Sequence, residues 1–176
     1  MQSINEVSLP IYLAVDNPFD VVNRPEECAG CKARGRFHRH GTYCRYIRNE
    51  LRKVARFICA LCRLTASVLP GFVLPYRSRL VEEVNGYFMA TTEQRRNLSY
   101  ADMLRHYWKP WCAHWPKLQL LTGWPTVRPL ARDAQEYWRQ LCDVPGGLAH
   151  AQAVLVARFG RSLLRCYACH RVPART

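Results

Sequence analysis

Residues 28–62 read CAGCKARGRFHRHGTYCRYIRNELRKVARFICALC, and the spacing of the cysteines in this stretch decides the fold. Cys28-Ala-Gly-Cys31 and Cys59-Ala-Leu-Cys62 are two C-x2-C pairs separated by 27 residues. Each pair offers two sulfurs from a tight turn, and together they complete the tetrahedron that Zn2+ takes. Four buried thiols in a small core are the competing reading, but that reading leaves the doubled spacing to accident. A Zn2+ ion held by Cys28, Cys31, Cys59 and Cys62 is structural, because four protein ligands leave no position for a reactive water. Gly30 is expected to supply a positive φ in the first pair. The spacer is expected to fold as a β-hairpin: 37–43 and 46–58 are rich in β-formers, with Gly41 and Asn49-Glu50 as turns. Cys44 is then a strand residue. His38 and His40, two apart on a strand, share one face and suit phosphate contact better than metal ligation.

Charge is concentrated around this module. Of the net +13, residues 28–79 carry +11 and residues 144–176 carry +5, whereas residues 1–27 carry −4. Such clustering is the electrostatic footprint of a polyanion binder. Candidate phosphate contacts in the module are Arg34, Arg36, Arg39, His40, Arg45, Arg48, Arg52, Lys53 and Arg56. No apolar run approaches the roughly 20 residues of a membrane span. The N-terminus lacks the basic start of a signal peptide. The expected location is therefore the cytoplasm, in association with the nucleoid. There, nine cysteines, an odd number, point to metal ligation or buried thiols before disulfides.

Beyond residue 76 the hydrophobic period becomes helical. Ser78 is placed to cap a helix with Glu82 and Glu83 in its first turn and Leu80, Val84, Tyr87 and Phe88 on one face. Ser99-x-x-Asp102 has the form of a capping box. Leu104, Trp108, Trp111, Trp115 and Leu118 follow at steps of 3 and 4, a spacing that marks core rather than base-stacking residues. Pro110 either kinks this helix or starts another. Leu130, Ala134, Tyr137 and Leu141 mark a further helix, ended by Pro145-Gly146-Gly147. A last helix runs from Leu148 through Ala151, Leu155, Phe159, Ser162 and Cys166, with Arg158, Arg161 and Arg165 on a shared face open to phosphates. The segments 79–90 and 98–109 suggest a helix-turn-helix with Arg95 and Arg96 in the connection, although that connection is longer than the usual turn; a frame after Pro110 is equally open. Cys166-Tyr-Ala-Cys169-His170 matches a haem-attachment string, half a second metal site completed by His150, Cys142 or a second subunit, or ordinary helix-end cysteines.

Residues 28–76 resemble the zinc-ribbon segment of small transposon-associated proteins and of the N-terminal regions of insertion-sequence transposases. The resemblance lies in the two cysteine pairs and in Arg39, His40, Gly41, Tyr43 and Arg45. It extends to Thr65, Ser67, Leu69, Pro70, Pro75 and Tyr76 after the second pair. It implies a zinc ribbon with an attached helix-turn-helix that grips DNA ends or regulatory sites, beside an element-encoded recombinase or transposase. The expected architecture is thus α+β: an acidic segment (1–27), a zinc ribbon (28–76) and a mostly helical part (77–176). No P-loop, G-x-S-x-G or H-E-x-x-H occurs, so catalysis is not expected. The expected function is DNA binding as an accessory factor or regulator, with a homo-oligomer among the expected states. An adaptor for an acidic protein partner and a non-catalytic transposase remnant are the alternatives.

Overall fold

A computed structural model describes residues 2–5, 7–75, 77, 79–125, 129–159 and 161–164. Arg165, Cys166, Cys169 and His170, with Tyr76 and Ser78, lie outside them. The fold is α+β. A four-stranded sheet in the order β1-β4-β3-β2 is built from β1 (Gln2–Asn5), β2 (Phe37–Ile47), β3 (Glu50–Cys59) and β4 (Thr65–Pro70). The last three are antiparallel, and β1 joins the edge parallel to β4, with Gln2 opposite Ser67. The acidic segment is therefore part of the sheet module and not an appendage. Its short helix α1 (Leu9–Leu13) sends the Tyr12 hydroxyl to the Lys53 carbonyl, 2.8 Å away.

The β2–β3 hairpin turns at Arg48-Asn49, where φ is 54° and 65°. Two successive left-handed residues make the primed turn whose twist matches that of the strands, and asparagine tolerates this conformation well. The turn thus falls one residue before the expected Asn49-Glu50. Gly41 is not a turn either: it lies within β2 at a β-bulge, where the register slips between Arg39 opposite Phe57 and Gly41 opposite Arg56. Its φ of 145° is one that a residue without Cβ takes freely. The bulge leaves His40 as the extra residue, so the alternation that would put His38 and His40 on one face is broken there.

The helical part comprises α2 (Val81–Met89), α3 (Thr92–Arg96), α4 (Ala101–Thr122), α5 (Ala134–Cys142) and α6 (Gly147–Phe159). At the start of α2 the Leu80 N–H donates to the Glu83 carboxylate at 2.8 Å. Thr91 and Gln94 form a reciprocal capping box on α3, which occupies what the sequence suggested was a bare connection. The box expected at Ser99 and Asp102 does not form. The residue before α4 is Tyr100, left-handed at φ 63°, and its side chain caps nothing. α4 neither breaks nor restarts at Pro110, and runs through Pro116 as well. The carbonyls those prolines leave without donors belong to His106 and Cys112, both exposed residues, where water can take the place of the missing N–H. α6 ends at Phe159, so Arg161 lies beyond the helix that was expected to align it with Arg158.

The tryptophan stripe packs inward, as its spacing requires. Trp111 stacks on Tyr137 with ring centroids 5.7 Å apart and meets Trp138 edge-on at 5.0 Å, and both tryptophans are fully buried. Their ring N–H groups donate to the Ala134 carbonyl and the Asn85 side chain, each at 2.9 Å. A second core lies against the sheet, built on Tyr12, Phe37, Ile47, Phe57, Val68 and the buried Cys28 and Cys59. The chain at 73–74 joins the two: Val73 enters the sheet core and Leu74 the helical one. The buried Gln152 of α6 donates to the Val73 carbonyl at 2.8 Å. Among the described residues no helix is long and apolar enough to cross a membrane.

Truncating Trp111 to alanine removes a ring buried on all sides and should cost about 3–5 kcal/mol. Leu120→Ala, on a side chain 84% exposed, should change stability by less than about 0.5 kcal/mol. Urea unfolding of the two variants checks the contrast.

Candidate metal centre and basic surface

The two cysteine pairs adopt the same local structure. In the first, the Cys28 N–H donates to the Ala33 carbonyl (2.9 Å) and the Lys32 N–H to the Cys28 carbonyl (2.8 Å). In the second, the Cys59 N–H donates to Leu64 (2.9 Å) and the Arg63 N–H to Cys59 (3.0 Å). Lys32 and Arg63, each one residue past its pair, hold the left-handed position at φ 60° and 62°. Gly30, expected to hold that conformation, has no positive φ. A Cβ on Gly30 would stand 3.2 Å from Leu64 and within 3.8 Å of the sulfurs of Cys62 and Cys28, so its lack of a side chain keeps room beside the cluster. An antiparallel bridge between Glu27 and Arg34 flanks the first turn, and the Ala60 N–H ties the second to the Arg36 carbonyl at 2.8 Å.

These turns bring four sulfurs together. Cys28 and Cys62 are 3.4 Å apart, Cys31 and Cys59 are 3.6 Å apart, and all four lie within 4.8 Å of one another. Four sulfurs about 2.3 Å from a tetrahedral Zn2+ ion stand roughly 3.8 Å apart, so the cluster can hold a metal ion of that size. Cys28 and Cys59 are buried, while Cys31 and Cys62 face solvent. The thiols are unequal. The backbone N–H groups of Cys62 and Leu61 pull the Cys59 thiol down to about 7, whereas burial pushes the Cys28 thiol up to about 12. Of the residues considered for a second metal site, Cys142 directs its thiol to Asn85 at 3.4 Å and His150 lies on α6, away from the four-sulfur cluster.

The basic residues divide into two sets. Arg36, Arg39, His40, Arg48 and Lys53 are exposed on or beside the hairpin, with Arg39 lying over the Phe19 ring at 5.1 Å. Arg34 is exposed too, and its 3.4 Å pair with Glu27 is a weak surface contact. Arg96 and Arg158 are exposed in the helical part. Four residues expected as phosphate contacts instead commit some of their donors to the protein itself. Arg45 donates to the carbonyls of Leu74 (2.7 Å) and Arg77, tying the hairpin to the chain that enters the helices. Arg52 pairs with Glu50 and donates to the Leu13 carbonyl. Arg56 is half-buried between Thr65 and the Tyr43 ring. Arg95 donates to the Tyr87 and Phe88 carbonyls, 2.9 Å each. The sequence counts the charges of these four arginines but does not name their acceptors, which lie far along the chain for Arg45 and for the Arg52–Leu13 contact and within ten residues for Arg56 and Arg95. Beside the cysteine pairs two exposed cations were overlooked, Lys32 and Arg63. The repeated strings C-A-G-C-K and C-A-L-C-R carried the signal, a base one step past each pair.

Compared with protein-family models, curated proteins and solved structures, the chain matches none.

Metal binding requires thiolates, so acid must oppose it: protons are displaced on loading and return as pH falls. In the cobalt-loaded chain, sulfur-to-metal absorption should fall as pH drops and should be lost in Cys28→Ser/Cys62→Ser. Spectra recorded against pH check both outcomes.

Proposed function

We propose that this chain is a zinc-dependent DNA-binding protein in which the Cys28, Cys31, Cys59 and Cys62 centre, a zinc ribbon, steadies a basic hairpin against a nucleic-acid backbone. The observation that carries this reading is the distribution of charge around the cluster. Lys32, Arg36 and Arg63 are exposed close in sequence to the four-sulfur centre, and Arg39, His40, Lys53 and Arg48 are exposed along the hairpin that runs from it to the tip. Among the described residues, the carboxylates paired to bases of this region are Glu27 and Glu50. Arginine and lysine held on a rigid hairpin suit phosphate contact, with base readout left to other elements.

A helix-turn-helix reading now falls on α3 and α4. The four residues 97–100 that connect them have about the length of the motif's turn, unlike the connection in the frame first considered. Arg105, His106 and Lys109 are exposed along the first turns of α4 and are available to a groove. The mobile-element part of the proposal, an accessory factor or regulator beside a recombinase or transposase, rests on the resemblance around Arg39, His40, Gly41, Tyr43 and Arg45. A second reading, an adaptor for a protein partner, draws on the exposed pair Tyr46 and Leu51, which face each other across the hairpin near its tip.

Salt titration separates the two. For DNA, log affinity should fall with log salt by about 0.9 per phosphate contacted. The double variant Arg39→Ala/Lys53→Ala should flatten that slope by about two contacts while leaving the fold intact. A salt-independent affinity, or a slope indifferent to these two residues, contradicts the proposal.

A further inference from the structure

A cavity of about 460 Å3 lies where α2, α3 and α4 meet, walled by Tyr87, Thr92, Arg95, Arg96, Arg105 and Trp108. Its chemistry is cationic: three guanidinium groups face one carboxylate, that of Asp102. That carboxylate pairs with Arg105 at 3.4 Å, and both partners are largely exposed, so water screens the contact and an incoming anion can displace it.

Arg95 is the fixed element of the cavity. Its Nε and one terminal nitrogen donate to the Tyr87 and Phe88 carbonyls, in the last turn of α2, where backbone acceptors lack helical partners. The guanidinium also lies over the Trp108 ring at 4.3 Å and the Tyr87 ring at 5.3 Å. A guanidinium has five N–H groups. Two are committed, and the other three have no protein acceptor among the described residues. A half-buried arginine held by two carbonyls and two rings has lost its rotamer freedom before any ligand arrives, which is the condition for preorganised binding. Planar forks of this kind match the oxygens of a phosphate, and Arg96 and Arg105 add mobile forks on the rim.

We infer that this cavity is a receptor for one phosphate group, supplied by a nucleic-acid strand lying across α3 and α4. The oxyanion chemistry stands on the cavity alone; the nucleic-acid source rests on the reading proposed above.

The test uses the zinc-loaded full chain with two probes, a mixed-sequence DNA duplex and inorganic phosphate. Arg96→Ala/Arg105→Ala alters only exposed side chains, and Arg95→Lys keeps the charge but loses the fork. Both variants should weaken duplex binding about tenfold or more, and the double variant should flatten the salt slope by about one contact. Inorganic phosphate should quench tryptophan emission in the parent and not in the double variant. If the double variant keeps the parent's affinity, slope and quenching while Arg39→Ala/Lys53→Ala still flattens the slope, the pocket is overturned and the hairpin reading survives. If the duplex does not bind but phosphate quenches through Arg96 and Arg105, the receptor stands with a free phosphate ligand and the strand as source is overturned. If neither probe responds, both fail.

Discussion

Four sulfurs within 4.8 Å of one another impose the constraint from which the rest of the sheet module follows. Cys28 lies in the loop before β2 and Cys59 ends β3, so drawing them together fixes the two open ends of the hairpin while Arg48-Asn49 closes the third. What lies between is a long ribbon whose edge strand, β2, pairs with β3 on one side and has no strand neighbour on the other among the described residues. Such an edge invites unwanted pairing. Here a bulge and a row of basic side chains blunt it.

The arginines divide the labour of the fold. Arg45 and Arg95 use guanidinium donors to satisfy carbonyls that secondary structure leaves open, one at the chain entering the helices and one at the end of α2. Arg79 does similar internal work, buried against the Tyr100 ring at 3.4 Å and paired with Glu83. Asn49 in the hairpin turn donates to the Tyr100 hydroxyl at 3.3 Å, so the sheet's tip and the α3–α4 connection touch. Part of the positive charge thus holds the two cores together, and the remainder faces solvent.

Local periodicity made the metal cluster and the tryptophan stripe legible in the sequence. A C-x2-C pair is its own turn, and residues three and four apart on a helix must share a face. What escaped was set by backbone conformation and by partners that no local pattern names. The parallel pairing of β1 with β4 joins residues more than sixty positions apart, and nothing in Gln2–Asn5 announces it. Gly41 looked like a turn because a glycine's conformational freedom serves a bulge equally well. Asn49 did mark a turn, but Arg48 rather than Glu50 shares it, and arginine gives no hint of a left-handed backbone. Arg45, Arg52, Arg56 and Arg95 looked like surface charge because a sequence does not reveal which carbonyls, hydroxyls, carboxylates or rings will stand in reach.

The most direct measurement of the central claim is DNA affinity of the full chain before metal removal, after removal by a chelator, and after restoring zinc. The account predicts that affinity drops about tenfold or more without metal, as the guanidinium groups lose their fixed spacing, and returns when zinc does. Equal affinity in all three states would contradict it, since the sulfur cluster would then have no part in presenting the basic hairpin.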